Sequence, residues 1–163
     1  NFLQKDTILI EPIFKYRDIV DFTYIEDFES TNNFNNMTRT DVLDVNNTNG
    51  RAGVITLNAN ENTKTSQTIS PISITEVKRS YLEFSVKTEN YGTFGIQSAT
   101  DPSVFVQIGS FAPYEWVHTY FNLTSIVTTV KEGDYDFYIS VQRDPEVVGE
   151  SKTYIDNFKI LEF

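Results

Sequence analysis

One histidine, no cysteine and 23 carboxylates bound the chemistry open to this 163-residue chain. Thiolate nucleophiles, thiolate metal sites and disulfides are excluded. A serine–histidine–acid relay would have to use His118, and no G-x-S-x-G turn is present to carry its serine. Phosphate-cradling glycine loops are also missing. A retaining glycosidase needs two carboxylates about 5 Å apart. The acidic run Glu26, Asp27 and Glu29 does not provide them, because Glu26 and Asp27 are adjacent and would leave opposite faces of a strand. His118 and Tyr120 share one face of a predicted strand, as a base and an acid could. A lone histidine is more often structural, so the residues argue against catalysis and the chain reads as a non-enzyme.

Amides and rings suggest a different chemistry. Three predicted strands carry few charges on their outward sides. Their outward sets are Gln97; Phe105 with Gln107; and Tyr138, Ser140 and Gln142. Gln both donates and accepts hydrogen bonds, as sugar hydroxyls require, and aromatic rings stack on the apolar faces of sugars. Tyr91, Phe111, Tyr114, Tyr135 and Arg143 lie beside turns and offer a second, loop-tip site. Trp116, the only tryptophan, is a candidate for ligand stacking or for packing at the core margin. Within "KTYIDNF", residues 152–158, Asp156 interrupts a strand-forming stretch. It either caps backbone N–H groups at a bulge or holds an ion.

Positioning those residues requires strands. Helix periodicity is nearly absent, with at most one turn in "PIFKYRDIVDFTYIEDF". Alternation puts Leu82, Phe84 and Val86 inward, then Phe94 and Ile96, then Val104, Val106 and Ile108. Val117, Thr119, Phe121 and Leu123 follow, then Phe137, Ile139 and Val141. Ile55, Leu57 and Ala59 share a face in "GVITLNA", and Pro71 breaks "SQTISPISITE". Turn signals such as Asn49-Gly50, Asp101-Pro102 and Asp144-Pro145 separate the runs. Eight or more short strands predict an all-β, antiparallel β-sandwich of jelly-roll topology. Residues 1–22 read as an apolar lead-in segment and 23–163 as a single sandwich domain.

The remaining composition narrows the partners. A net charge of −10 repels phosphate backbones and anionic membranes, so no nucleic acid is expected. No apolar run approaches the roughly 18 residues of a membrane span, so no membrane insertion is expected. Abundant Asn, Thr and Ser, with N-x-[ST] matches at Asn36, Asn46 and Asn122, point outside the cell. The opening "NFLQKDTILI" has neither an initiator Met nor a signal pattern and reads as a piece of a longer polypeptide.

Four motifs occur in a telling order. They are "DFES" at Asp27–Ser30, W-x-x-x-x-F-x-L at Trp116–Leu123, G-x-Y-x-F-Y-I-x-V at Gly133–Val141, and "YIDNFKI" at Tyr154–Ile160. This order resembles the jelly-roll carbohydrate-binding modules of the galactose-binding-like superfamily, over residues 25–163. The resemblance implies that "DFES" opens the first sandwich strand and that the first and last strands are neighbours. It implies a structural Ca²⁺ between them, held by Glu29 and Asp156, with oxygens from Asp27 and the Asn46–Gly50 loop. It implies that Trp116 packs at the core margin. It also implies a non-catalytic module of a larger multidomain protein, extracellular, on a cell surface or on a virion, that binds a polysaccharide or cell-surface glycan. The rival expectation is a structural or protein-interaction sandwich within a larger assembly, docked through the lead-in.

Overall fold

Side chains that alternate between apolar and polar at every second position can bury one face only by forming a sheet and packing it on another. The structure, a computed structural model, describes residues 21–43, 49–74, 80–127, 130 and 132–162. Most of the predicted lead-in, 1–20, and residues 44–48 of the Asn-rich loop lie outside the described residues.

Among the described residues eleven strands occur in chain order: β1 Asp21–Glu26, β2 Thr38–Leu43, β3 Asn49–Leu57, β4 Thr63–Gln67, β5 Ile72–Ile74, β6 Ser80–Thr88, β7 Tyr91–Ser98, β8 Phe105–Phe111, β9 Tyr114–Asn122, β10 Gly133–Gln142 and β11 Ser151–Glu162. A four-residue helix, α1 Thr124–Val127, lies between β9 and β10. The first sheet runs β2-β3-β11-β6-β9, and β1 pairs with β11 beyond the end of β3. The second runs β4-β10-β7-β8, and β5 continues the β4 side of β10. All the pairings are antiparallel, as expected for a jelly-roll sandwich. The break at Pro71 separates β4 from β5 as expected.

Phenylalanines fill the space between the sheets. Phe84 of β6 meets Phe94 of β7 edge-on with ring centres 5.1 Å apart, and Phe94 meets Phe121 of β9 at 4.6 Å. Phe158 of β11 meets Phe137 of β10 at 4.8 Å and Phe34 at 5.3 Å. Leu82, Val86, Ile96, Ile139, Val141, Ile55 and Leu57 are buried around them, as alternation predicts. Three assignments differ, the first being Val117 of β9, which is 37% exposed. Val104 precedes β8 and is 38% exposed, because β8 begins one residue later. Ala59 lies in the turn after β3 and is exposed.

"KTYIDNF" contains no chain reversal; it is the interior of the twelve-residue β11. Ile155 pairs with Val86 and Ile160 with Leu82, so six residues on β11 match five on β6. That extra residue is a bulge. Asn157 takes up the irregularity at φ 53°, a left-handed conformation that Asn tolerates better than most residues. The bulge resets the alternation, so Ile155, Phe158 and Ile160 all face the core. Asp156 secures it by accepting the Asn157 N–H at 2.7 Å.

"DFES" does not open a strand. β1 ends at Glu26, and residues 27–30 form the loop beyond it. The cause is Glu26 itself, which is 1% exposed. Its Oε1 accepts the Phe28 N–H at 2.8 Å and its Oε2 the Asn33 N–H at 2.8 Å, while the Thr31 hydroxyl donates to both oxygens. This carboxylate holds Phe28 at φ 58°, unusual for a bulky residue, so that its ring fills the space above Gly53. Hydrogen bonds to an ionised group are worth about 1.5–3 kcal/mol each. Glu26→Ala is therefore expected to destabilise the fold by about 3 kcal/mol in urea unfolding. A loss below about 1 kcal/mol would mean that the loop holds its shape without the carboxylate.

Candidate functional site

The outer face of the second sheet follows directly from its register. Four rows of outward positions cross the strands. Asp136, Gln97 and Phe105 form the first, and Gln67, Tyr138, Gly95 and Gln107 the second. Thr65, Ser140, Thr93 and Ser110 form the third, and Thr63, Gln142 and Tyr91 the fourth. The structure thus brings together Gln97, Phe105, Gln107, Tyr138 and Gln142, five of the six residues singled out as ligand-binding. β4, whose Gln67, Thr65 and Thr63 complete the rows, was not foreseen as part of the face. Its short "TKTSQ" run carries no apolar alternation that would have marked it.

These positions carry amides, hydroxyls and rings, with Asp136 the only charged residue in the four rows. Gln67 Nε2 donates to Gln97 Oε1 at 2.9 Å, and Gln97 Nε2 donates to the Pro102 carbonyl at 2.9 Å. Thr65 donates to Ser140 at 3.0 Å. Gln107 and Gln142 are exposed. A depression of about 460 Å³ opens at the Tyr91 end, between Thr63, Thr93, Ser110, Phe111, Ser140 and Gln142. Tyr91 and Phe105 stand half-exposed at opposite ends of the face, six residues apart along β7, or roughly 20 Å. Burial raises the pKa of Asp136 above its ordinary value.

Tyr138 departs from the expectation of an open platform. It is 3% exposed because Phe105 lies stacked over it, ring centres 4.6 Å apart and planes 21° from parallel. Burial pushes its hydroxyl up to about 12. Trp116 is not on this face at all. It belongs to β9 of the first sheet, where its indole N–H donates to the Leu43 carbonyl at 2.8 Å and its ring tilts against Tyr154. These contacts reach toward the central strand β11 and the end of β2 on the first sheet.

The loop-tip residues divide. Tyr91 and Phe111 line the depression already described. Tyr135 is buried in the core. Arg143 spends its guanidinium on the carbonyls of Leu57, Asn58, Glu61 and Gly149. Tyr114 borders a second depression of about 810 Å³, whose walls include Glu89, Glu115, Glu150, Lys87 and Lys152. That lining is strongly charged, unlike the sheet face.

On the first sheet, His118 bridges Ser85, at 2.8 Å from Nδ1, and Glu83, at 3.0 Å from Nε2. Glu83 also pairs with Lys159 at 3.3 Å. The order of groups resembles a nucleophile relay, but Ser85 is 1% exposed and presents no attacking oxygen to a substrate. The bridge ties β9 to β6 across their directly opposed pair Ser85 and His118.

The residues expected to hold Ca²⁺ have other partners. Glu29 Oε1 accepts the Arg51 N–H at 2.9 Å, and Asp27 accepts the Glu29 N–H at 3.0 Å. Asp156 accepts both N–H groups of Asn157, backbone and side chain. Among the described residues no three acidic or histidine side chains converge on a metal position. Ca²⁺ takes six to eight oxygens, and residues 46–48 of the loop expected to supply some of them lie outside the described residues.

Solved structures share this architecture. The chain superimposes on the family 11 carbohydrate-binding module of a cellulosomal cellulase of Clostridium thermocellum with TM-score 0.56 and 13% identity, covering 88% of this chain and 96% of that one. It superimposes on a mutant family 29 carbohydrate-binding module complexed with mannohexaose with TM-score 0.52 and 14% identity, covering 88% and 93%. The fold is that of the jelly-roll carbohydrate-binding modules. An exo-β-agarase matches with TM-score 0.58 and 9% identity over 84% of this chain, which spans only 25% of the agarase. No protein-family model matches the sequence, and no curated protein is similar to it.

Two measurements follow from this geometry. Asp156→Ala is expected to cost about 1–2 kcal/mol through the lost bulge contacts, equally with and without a chelator; a chelator that lowers the wild-type melting temperature as much would restore the ion. A carboxyl whose folded-state pKa is raised favours the fold in acid, and that contribution is lost as pH rises from the ordinary value of 3.8 through the raised one. Asp136→Asn should therefore melt like the wild type near pH 3 and above it at pH 7. Identical melting at both pH values would sink this account of Asp136.

Proposed function

We propose that this chain is a non-catalytic carbohydrate-binding module whose ligand, a neutral polysaccharide, lies along the outer face of the second sheet. The observation that carries this reading is the charge-poor amide and hydroxyl surface, with the half-exposed ring of Tyr91 at one end. Sugar hydroxyls donate and accept, and Gln, Ser and Thr do the same. The apolar side of a pyranose ring needs an aromatic partner, which the exposed Tyr91 ring supplies at its end of the face. The absence of cations from the four rows disfavours sulfated or uronic-acid chains.

Likeness to carbohydrate-binding modules, one of them complexed with mannohexaose, supports the same reading. The quarter share of the agarase chain that this fold covers supports a role as one part of a larger protein acting on polysaccharide. A module of this kind binds weakly at each site and gains strength by repetition or by tethering to its parent.

The test is a broad array of neutral and acidic polysaccharides, followed by titration of the best binder. Tyr91→Ala is expected to weaken binding about fivefold, the loss of one aromatic stack worth about 1 kcal/mol, with little change in melting temperature. Binding confined to acidic chains, or none at all, would remove the proposal and leave a structural role for the sandwich.

A further inference from the structure

Among the described residues nearly all buried polar side-chain atoms have a hydrogen-bond partner. Glu26 has four donor contacts. The buried Thr88, Asn90, Ser151 and Thr153 hydrogen-bond one another at one end of the sandwich. Among the described residues only two buried side-chain polar atoms lack a partner, the hydroxyls of Thr124 and Tyr138. Thr124 begins the short helix. Tyr138 lies in the middle of the sheet face, in the row between Gln67 and Gln107. A phenol oxygen kept there without a partner is unfavourable, and phenylalanine would fill the same space without it.

The Tyr138 ring lies flat across β7 at Gly95. A Cβ there would collide with the Val106 carbonyl oxygen and stand 2.5 Å from the Tyr138 oxygen and 2.8 Å from Cε1, so the backbone already requires glycine and the ring occupies the space this leaves. What hides the hydroxyl face is Phe105. That ring is 53% exposed and is the first residue of the edge strand β8. It can swing outward without opening the core, since it belongs to the outward set and not to the phenylalanines between the sheets.

We infer that Phe105 is a displaceable cover and Tyr138 a concealed ligand-binding residue: a sugar ring takes the place of Phe105 on the Tyr138 face, and one of its hydroxyls pairs with the orphaned phenol oxygen. This inference rests on the reading of the sheet face as a glycan site and adds to it a subsite absent from the ligand-free surface. The vacated place is one ring thick, since Phe105 and Tyr138 already stand at a stacking distance of 4.6 Å. Gln67, Gln97 and Gln107 neighbour the position and can bond the sugar's remaining hydroxyls. The cover also lowers the cost of an empty site, because it shields an apolar ring from water until ligand arrives.

The experiment is calorimetric titration of wild type, Tyr138→Phe and Phe105→Ala with hexaoses of mannose and glucose and an agar-derived hexasaccharide, alongside their melting temperatures. Tyr138→Phe is expected to melt at or above the wild-type temperature and to bind at least fivefold more weakly. Phe105→Ala is expected to keep affinity within about twofold of the wild type or to exceed it, and to let the Tyr138 hydroxyl ionise below its wild-type value of about 12 in an ultraviolet titration. Unchanged affinity in Tyr138→Phe overturns the concealed residue while leaving the glycan site standing. A tenfold loss in Phe105→Ala, or an unmoved Tyr138 titration, overturns the cover and makes Phe105 the platform itself. No binding of any hexaose by the wild type overturns the sheet-face site and this inference with it.

Discussion

Phe158 and Phe137 meet edge-on at 4.8 Å, and this contact joins the middle strands of the two sheets. Everything else is arranged around it. β11 reaches that position only because Asn157 adopts a left-handed turn and shifts the strand by one residue. Without the shift, Ile155 and Ile160 could not both face inward, and half of the longest strand would present its apolar side to water. The same aromatic seam fixes β10, and β10 carries Tyr138, Ser140 and Gln142 on its other side. The candidate ligand face is thus the back of the surface that builds the core.

Alternation made most of the architecture legible. β6, β7 and β10 each place the expected residues inward, and the outward amides of β7, β8 and β10 form one face as read from their positions. What alternation cannot express is phase and depth. The bulge at Asp156 and Asn157 has no signature beyond two polar residues in an apolar run. Tyr138 points outward as expected, yet "outward" does not reveal that Phe105, one row away on the far edge strand, lies on top of it. Trp116 obeys its own alternation but sits on the other sheet, because sheet membership depends on pairing between distant segments. The end of β1 was equally hidden: Glu26 looks like one acid among several, and only its burial marks it as the organiser of the following loop.

The acidity of the chain takes on a different meaning in the folded protein. Many carboxylates accept backbone N–H groups at turns and strand ends. Glu61 takes that of Asn58, Asp101 that of Ser103, Asp144 that of Glu146 and Glu89 that of Lys152. The hydrogen bonds from Ser103 hold the Asp101 carboxyl below the usual range, as expected where the charged form is the one bonded. Negative charge therefore accumulates at loops, where it closes turns. The rows of the second sheet, which need no such closure, stay nearly free of it.

The two strands at the centre of the sandwich, β10 and β11, are also the last of the eleven in chain order. A ribosome therefore releases the flanking strands before the strands that join them. Until residues 151–162 emerge, β1, the β2–β3 hairpin and the β6–β9 pair have no common partner, and β4 and β5 wait on β10 in the same way. Long-range pairing of this kind slows folding and leaves apolar strand faces open during synthesis. A chain cut short before β10 would keep the Phe84, Phe94 and Phe121 cluster but lack the two strands that join the remaining hairpins.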